Sequence, residues 1–452
     1  MSSEKFGMRL FFKDPDLPML LTMFLPIFAD MLLNNFIGTV HAYFVADAGE
    51  AVISAISLAN QLNNLISAVF FSACSATMVV VAQIRGTGDN KRAALVTSQT
   101  LFFAIYGTAI IAVLFNMFPS QIMTLFFAET DPIILVEAVK YIPLLGISIP
   151  FYAVFYICAC ASRGFDNHKI PLFISVSGSV LNVIFAFILI KVLGLGIIGA
   201  GISLILSRMF SAGAGIVLFI KKKWLAPFRD SVRVRFSVIK NVLYLGFFTS
   251  SESIITNFAG TLKTGFLVPF GISHITASSV YGSFSGLLSV PITVIGTMVT
   301  TLIAKSISAG DGKRARELLT KCIVYCFTIS SLIFVAAYFI LPHIFPSYTD
   351  NPDTLKLLDY LLIINCIGTP TLSLFVTLIS NAFNGAGDAK FSTIVSVACM
   401  IVLNLGGGYL FTVVFGWGVI GSQLSAYLSL IAKALIYIWR YKSGKWVKKV
   451  MV

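Results

Sequence analysis

Charge is what this chain has least of. Only 11% of its 452 residues are charged, with 19 acids against 32 Lys and Arg. A soluble domain carries about a quarter charged residues, so a water-facing globular protein is excluded. Histidine is scarce as well, with four in all. The sequence has no H-E-x-x-H, no nucleophile elbow and no Walker loop, which removes the common hydrolase and nucleotidase readings. We read the chain as not an enzyme, with no cofactor and no metal. Seven cysteines (Cys74, Cys158, Cys160, Cys322, Cys326, Cys366, Cys399) lie mostly inside apolar stretches. None has metal-site spacing with His, and none requires a disulfide. The start, MSSEKFGMRLFFKD, is polar and lacks a small-residue cleavage site, so no cleaved signal peptide is expected.

What is abundant is apolar sequence, at 57% of residues. It falls into twelve stretches, at 17–40, 52–83, 93–118, 133–161, 170–193, 197–220, 239–263, 274–304, 314–341, 355–384, 390–415 and 418–439. Each is long enough to cross a bilayer. Each should be helical, because lipid leaves backbone polar groups no partner except their own helix. The expected fold is therefore an all-α integral membrane protein with twelve transmembrane helices.

The net charge of +13 suggests nucleic acid until its placement is read. Basic residues gather before the first stretch, after every even one and at the C-terminus. The run Lys221, Lys222, Lys223, Arg229, Arg233, Arg235 and Lys240 is the densest. Acids occupy the odd loops, with Glu129, Asp131 and Asp350 as examples. The positive-inside rule then places both termini and the even loops in the cytoplasm. Orientation accounts for the charge, and no nucleic-acid partner is expected.

The chain also repeats. GTGDNKRA at 86–93 returns as SAGDGKRA at 308–315, and GLGIIGAGIS at 194–203 as GWGVIGSQLS at 416–425, an offset of 222 residues. The same offset pairs Gly146 with Gly368, Asp166 with Asp388, and Leu181-Asn182 with Leu403-Asn404. We expect two six-helix lobes in parallel orientation, because six is even. They are 1–220 and 239–452, joined by a cytoplasmic linker at 221–238.

The leading helix carries the chemistry. Residues 17–47 include Pro26, Asp30, Asn34, Asn35 and His41. At ~100° per residue, Asp30, Asn34 and His41 fall within ~40° of one face. The offset sends residue 30 to Glu252, 41 to Lys263 and 35 to Asn257. Each half thus has a helix bearing a carboxylate and, three turns on, a basic group. Ionisable residues inside a span are expensive and mark function by default. The expected ion-coupling residues are Asp30, His41 and Glu252. The expected cavity residues are Asn34, Asn35, Asn182, Asn257, Lys263 and Asn404. For Lys263 snorkelling to the outer surface stays open. Arg208, in mid-span, is expected to find a carboxylate or backbone carbonyls, and Lys433 to snorkel inward. Both G-x-G-x-x-G matches lack a surrounding βαβ unit, so they read as tight turns rather than dinucleotide sites.

These features together resemble the multidrug and toxic compound extrusion (MATE) family of the MOP flippase superfamily, over nearly the whole chain. The resemblance rests on Pro26, the two G-D turns, SRGFDNHKIP at 162–171, Asn182, GLGIIGAG, Gly246 with Glu252, and FNGAGDAK at 383–390. It implies a multi-pass protein of a prokaryotic cytoplasmic membrane. It also implies outward export of small amphipathic, cationic substrates by H⁺ or Na⁺ antiport. A monomer is expected because each lobe already has its partner. A flippase for lipid-linked oligosaccharide is the alternative from the same superfamily. The chain departs from the family at His41, where an Asp is usual, and at Ala186, where some members carry a second acid. It also departs at 370–373, where Pro370, Thr371, Leu372 and Ser373 replace an acid of the Na⁺-coupled branch. Glu252 matches the acid of that branch.

Overall fold

The computed structural model describes residues 15–46, 50–127, 132–232 and 234–448. Side chains at 34–50 and at scattered positions up to 73 lie outside the description, as do those of 228 and 229. Among the described residues there is no strand.

Helices fill all twelve apolar stretches. In the first half they are α1 Leu17–Ala46, α2 Glu50–Gly86, α3 Asn90–Met117, a short α4 Pro119–Phe127, α5 Pro132–Gly164, α6 Lys169–Ala186 and α7 Gly196–Lys222. After a single turn, α8 Phe228–Ser231, come α9 Phe236–Leu267, α10 Ile272–Leu288, α11 Val290–Ser308 and α12 Gly312–Ile344. The chain ends with α13 Pro352–Gly368, α14 Leu374–Gly385, α15 Ala389–Cys399 and α16 Gly418–Lys442. Nine of the described helical runs are long and apolar enough to cross a membrane. The eighth stretch, read as one helix, is broken between α10 and α11 next to Pro291. Its counterpart α2 has Val69 at the matching position and runs unbroken. Proline removes a donor and crowds the preceding turn, which accounts for the difference.

The repeat is visible in the backbone. Asp89 and Asp311 cap α3 and α12, each accepting from the backbone N–H three residues on, at 2.9 Å from Arg92 and 2.8 Å from Arg314. The G-x-G-x-x-G stretches are turns in both halves. Gly194 and Gly196 have φ of 65° and 52°, and Gly416 and Gly418 have 72° and 53°, a region that favours glycine. The third glycine packs on the turn before it. A Cβ at Gly199 would lie 2.9 Å from the Leu189 carbonyl oxygen, and one at Gly421 2.6 Å from that of Phe411. Each turn is preceded by a π-helical segment, Phe187–Val192 and Leu410–Val414.

One match from the sequence needs correcting. The residue with positive φ after α5 is Asp166, at 60°, and after α14 it is Gly387, at 85°. The amides of Asn167 and Asp388 close equivalent bonds to Ser162 and Phe383. So Asp388 corresponds to Asn167, and the local offset is 221. It returns to 222 by Asn182 and Asn404, with a further π segment, Met400–Gly406, taking up the extra residue.

By packing, the chain forms two compact units, 25–250 and 1–24 with 251–452. Their limits fall inside α1 and α9, whereas the sequence repeat divides at the 221–238 linker. In the first unit Ala59, Leu62, Ile142, Leu145 and Ala200 form a core where α2, α5 and α7 meet. In the second, Ala277, Tyr281, Leu341, Leu358 and Leu361 join α10, α12 and α13. Large apolar side chains that stay exposed, such as Phe173 and Leu332, suit contact with lipid. Helix association there rests on close packing and interhelical hydrogen bonds rather than on the hydrophobic effect.

Two anchors tie the segments that lead into α1 and α9. Within 25–250, Gln99 of α3 donates to the Asp230 carbonyl at 2.6 Å and accepts from the Arg235 amide at 2.6 Å. Within the other unit Asp16 accepts from Lys321 of α12 at 2.5 Å and from Arg314. Residues 99 and 321 are repeat partners.

Candidate functional site

Four polar clusters inside the spans, two in each unit, hold most of the described residues that the sequence singled out. In the unit 251–452, Glu252 of α9 is half-buried and hydrogen-bonds Ser396 of α15, with Lys433 of α16 as its neighbouring charge. A run of hydroxyls extends from there. Ser396 Oγ lies 3.0 Å from the Tyr437 hydroxyl, which is 3.2 Å from Ser392 Oγ, itself 2.7 Å from Ser380 Oγ. Lys433 is only 9% exposed, so the expected inward snorkelling is replaced by burial beside an acid. Among described residues no group of three or more His, Cys, Asp or Glu is placed to hold a metal.

Three turns along α9, roughly 16 Å from Glu252, Lys263 Nζ donates to Asn404 Oδ1 at 2.8 Å and to the Ser422 carbonyl at 2.8 Å. Two residues singled out from sequence thus meet, and Lys263 turns into its own unit instead of snorkelling outward. Asn257 does not join them. It is exposed and its Nδ2 donates to the Ser253 carbonyl of its own helix at 2.8 Å.

In the unit 25–250, Asp30 is 8% exposed and pairs with Arg163 of α5 at 3.3 Å. Neither Asp30 nor Glu252 is turned to lipid. Asn182 of α6 buries its Oδ1 with no hydrogen-bond partner among the described residues, whereas the same atom of its repeat partner Asn404 receives Lys263. The side chains of Asn34, Asn35 and His41 lie outside the described residues.

The fourth cluster surrounds Arg208 of α7. Its guanidinium lies over the Tyr152 ring at 4.0 Å, donates to Ser148 Oγ at 2.7 Å and donates to Asn63 Oδ1 at 3.3 Å. The expected carboxylate or carbonyl partners are replaced by a hydroxyl, an amide and an aromatic face. Asn63, Ser148 and Tyr152 were not singled out from sequence. Nor were Arg163, Ser396 and Tyr437. Only packing brings these residues to the charges they meet.

Asp16 and His168 are among the perturbed titratable groups near the helix ends. Burial pushes the Asp16 carboxyl up, but hydrogen bonds from Arg314 and Lys321 outweigh it and leave the pKa below the usual carboxylate value. Burial pushes the His168 imidazole down to about 4, Arg163 adds to this, and Asp166 opposes it.

Comparison with known proteins agrees with this architecture. The chain is 23% identical over 434 residues to the uncharacterized transporter YisQ of Bacillus subtilis, covering 94% of each. It is 24% identical over 452 residues to the multidrug export protein MepA of Staphylococcus aureus, covering 95% of each. It matches a crystal structure of a mutant of the Vibrio cholerae MATE transporter VcmN with a TM-score of 0.87 at 18% identity, covering 96% of this chain and 98% of that one. The MatE family model matches residues 26–188 and again residues 249–410. With helices in all twelve apolar stretches, a duplicated backbone and two family matches spanning most of its length, the chain belongs to the MatE family of multidrug and toxic compound extrusion transporters.

Proposed function

We propose that the chain is a secondary active exporter of small amphipathic compounds, working by alternating access in exchange for a cation, with H⁺ preferred to Na⁺. The company of Glu252 carries the ion assignment. This acid hydrogen-bonds a hydroxyl and has an ammonium for its neighbour. A hard cation needs several oxygen ligands, and Lys433 already supplies positive charge where it would sit. A proton needs one carboxylate oxygen. Protonating Glu252 cancels its attraction for Lys433 and so changes the charge of the cluster, which biases one conformation over another.

Asp30 takes a different part in this reading. Its ion pair with Arg163 braces α1 against α5. His41 is the second protonatable candidate. Lys263, Asn404 and Asn182 contribute polar surface to the path, with Asn34, Asn35 and Asn257 on the faces that α1 and α9 present. The protein acts as a monomer in a prokaryotic cytoplasmic membrane with both termini inside. Amphipathic organic cations are the cargo that the family resemblance implies.

The second reading is a flippase for lipid-linked oligosaccharide. It draws on Arg208 and Lys263, whose recorded partners are all neutral, because a diphosphate seeks cations. Proteoliposomes separate the readings. Under an imposed ΔpH the exporter accumulates rhodamine-type dyes, an imposed Na⁺ gradient alone does not drive it, and a labelled lipid-linked sugar stays in its leaflet. Dye movement under Na⁺ alone would overturn the ion assignment, and sugar-lipid translocation without dye movement would overturn the export assignment.

A further inference from the structure

Arg208 is the interior charge that the coupling scheme leaves unused. Its company sets it apart from four other cations held inside the fold. Arg163 has Asp30, Lys433 has Glu252, Arg440 has Asp388 at 2.7 Å, and Lys321 has Asp16. Arg208 has no carboxylate within ion-pair distance among the described residues, only Ser148, Asn63 and the ring of Tyr152.

The arrangement is built rather than incidental. The Ser148 hydroxyl donates to the Leu145 carbonyl at 2.7 Å, which leaves its lone pairs for Arg208. The Tyr152 hydroxyl donates to that of Tyr156 at 3.1 Å, while its ring supports the guanidinium. The three partners come from α2 and α5, so the guanidinium points between helices and not at lipid. An arginine has five N–H donors, and two are used here. Nor does the fold need a charge at this place, because the repeat partner of Arg208 is Leu430. A cation held in a span without an acid is costly, and an anionic group arriving with a ligand would relieve that cost.

We propose that Arg208, steadied by Ser148, Asn63 and Tyr152, recognises an acidic group, carboxylate or phosphate, on an amphipathic ligand. The guanidinium takes two anionic oxygens through parallel N–H donors. The Asn63 amide stands beside it as a further donor, and the Tyr152 face keeps the fork oriented. The inference rests on the exporter reading and extends its cargo from amphipathic cations to amphipathic acids.

Anisotropy of carboxyfluorescein and of rhodamine 6G, two xanthene dyes of opposite charge, tests this with purified protein in phosphatidylcholine nanodiscs. The expected result is that carboxyfluorescein binds at least about tenfold more tightly than rhodamine 6G, one charge-assisted contact being worth about that much. R208Q weakens carboxyfluorescein by a further factor of about ten, and R208K recovers part of the loss. Decanoate and decyl phosphate displace the dye from wild-type protein, while decanol does not. Displacement by phosphatidic acid in the nanodisc, without displacement by decyl phosphate, assigns the site to a lipid headgroup instead of a free amphiphile. If R208Q does not fold, the displacement series on the wild type decides alone. Equal binding of the two dyes, displacement by decanol, or an R208K as weak as R208Q with normal melting would overturn the proposal. Dye binding that obeys these rules without any gradient-driven movement in proteoliposomes would leave Arg208 as an anion site and overturn the exporter reading.

Discussion

At residues 194–199 and 416–421 the two halves of the chain make the same turn, with the same two positive-φ glycines and the same third glycine against a carbonyl. At residues 30 and 252 they place acids in different company, Asp30 with an arginine and Glu252 with a hydroxyl network and a lysine. The contrast shows which parts of a duplicated sequence are held by geometry and which are free to change their chemistry. The turn needs glycine because two of its positions have positive φ and the third has no room for a side chain beside a carbonyl. A charge inside the bundle needs only some partner, and in the proposed function different partners give it different work: a brace in one half, a proton carrier in the other.

The sharpest way to break the comparison is to remove a buried charge present in one half alone. Asp388 is fully buried and accepts from Arg440 Nε at 2.9 Å and from the same guanidinium at 2.7 Å. Its backbone counterpart is Asn167. Stripping one partner from a buried pair costs about 3–5 kcal/mol, so D388A should lower the thermal midpoint far more than N167A, whose capping bond to Ile170 at 3.0 Å is worth about 1 kcal/mol. Equal shifts would mean that Arg440 finds other support.

The shared turns give the next largest effect. G421A and G199A each force a methyl against a carbonyl, at 2.6 Å and 2.9 Å before relaxation. Overpacking of this kind costs about 1–3 kcal/mol, and G421A should be the worse of the two in a thermal melt. A tolerated G421A would show that the second half does not need its copy of the motif.

Acid stability should separate the two units by pH window. His168 has a folded pKa depressed to about 4. Its contribution is therefore full above the unfolded value near 6.5 and fades as pH falls towards 4. H168Q should flatten stability in that window. Asp16 also has a depressed pKa, so its contribution is present above the usual carboxylate value of about 3.9 and is lost at lower pH. The smaller effect belongs to D16N, which should lower stability by a constant amount above that value and by progressively less below it. A D16N loss that grows on acidification would contradict the assignment.

How much of this could be read without coordinates follows from the same contrast. The spans and the glycine turns obey local rules, and sequence alone placed them. Partners across the bundle do not. Asp30 and Arg163 are 133 residues apart, and Lys263 and Asn404 are 141 apart. Their meeting depends on helix rotation, which composition leaves open. Lys433 looked like a snorkelling lysine because only its distance from the helix end was legible, not the acid beside it. The Asp166 match failed for a third reason, because a π segment absorbs one residue without disturbing the apolar pattern that hides it.

The claim at the centre of the account is that Glu252 carries the exchanged proton. The direct measurement compares net transport under ΔpH with energy-independent counterflow, in proteoliposomes holding wild-type protein or E252Q. The account predicts that E252Q keeps counterflow of a bound dye and loses ΔpH-driven accumulation. Accumulation by E252Q at the wild-type level would contradict it.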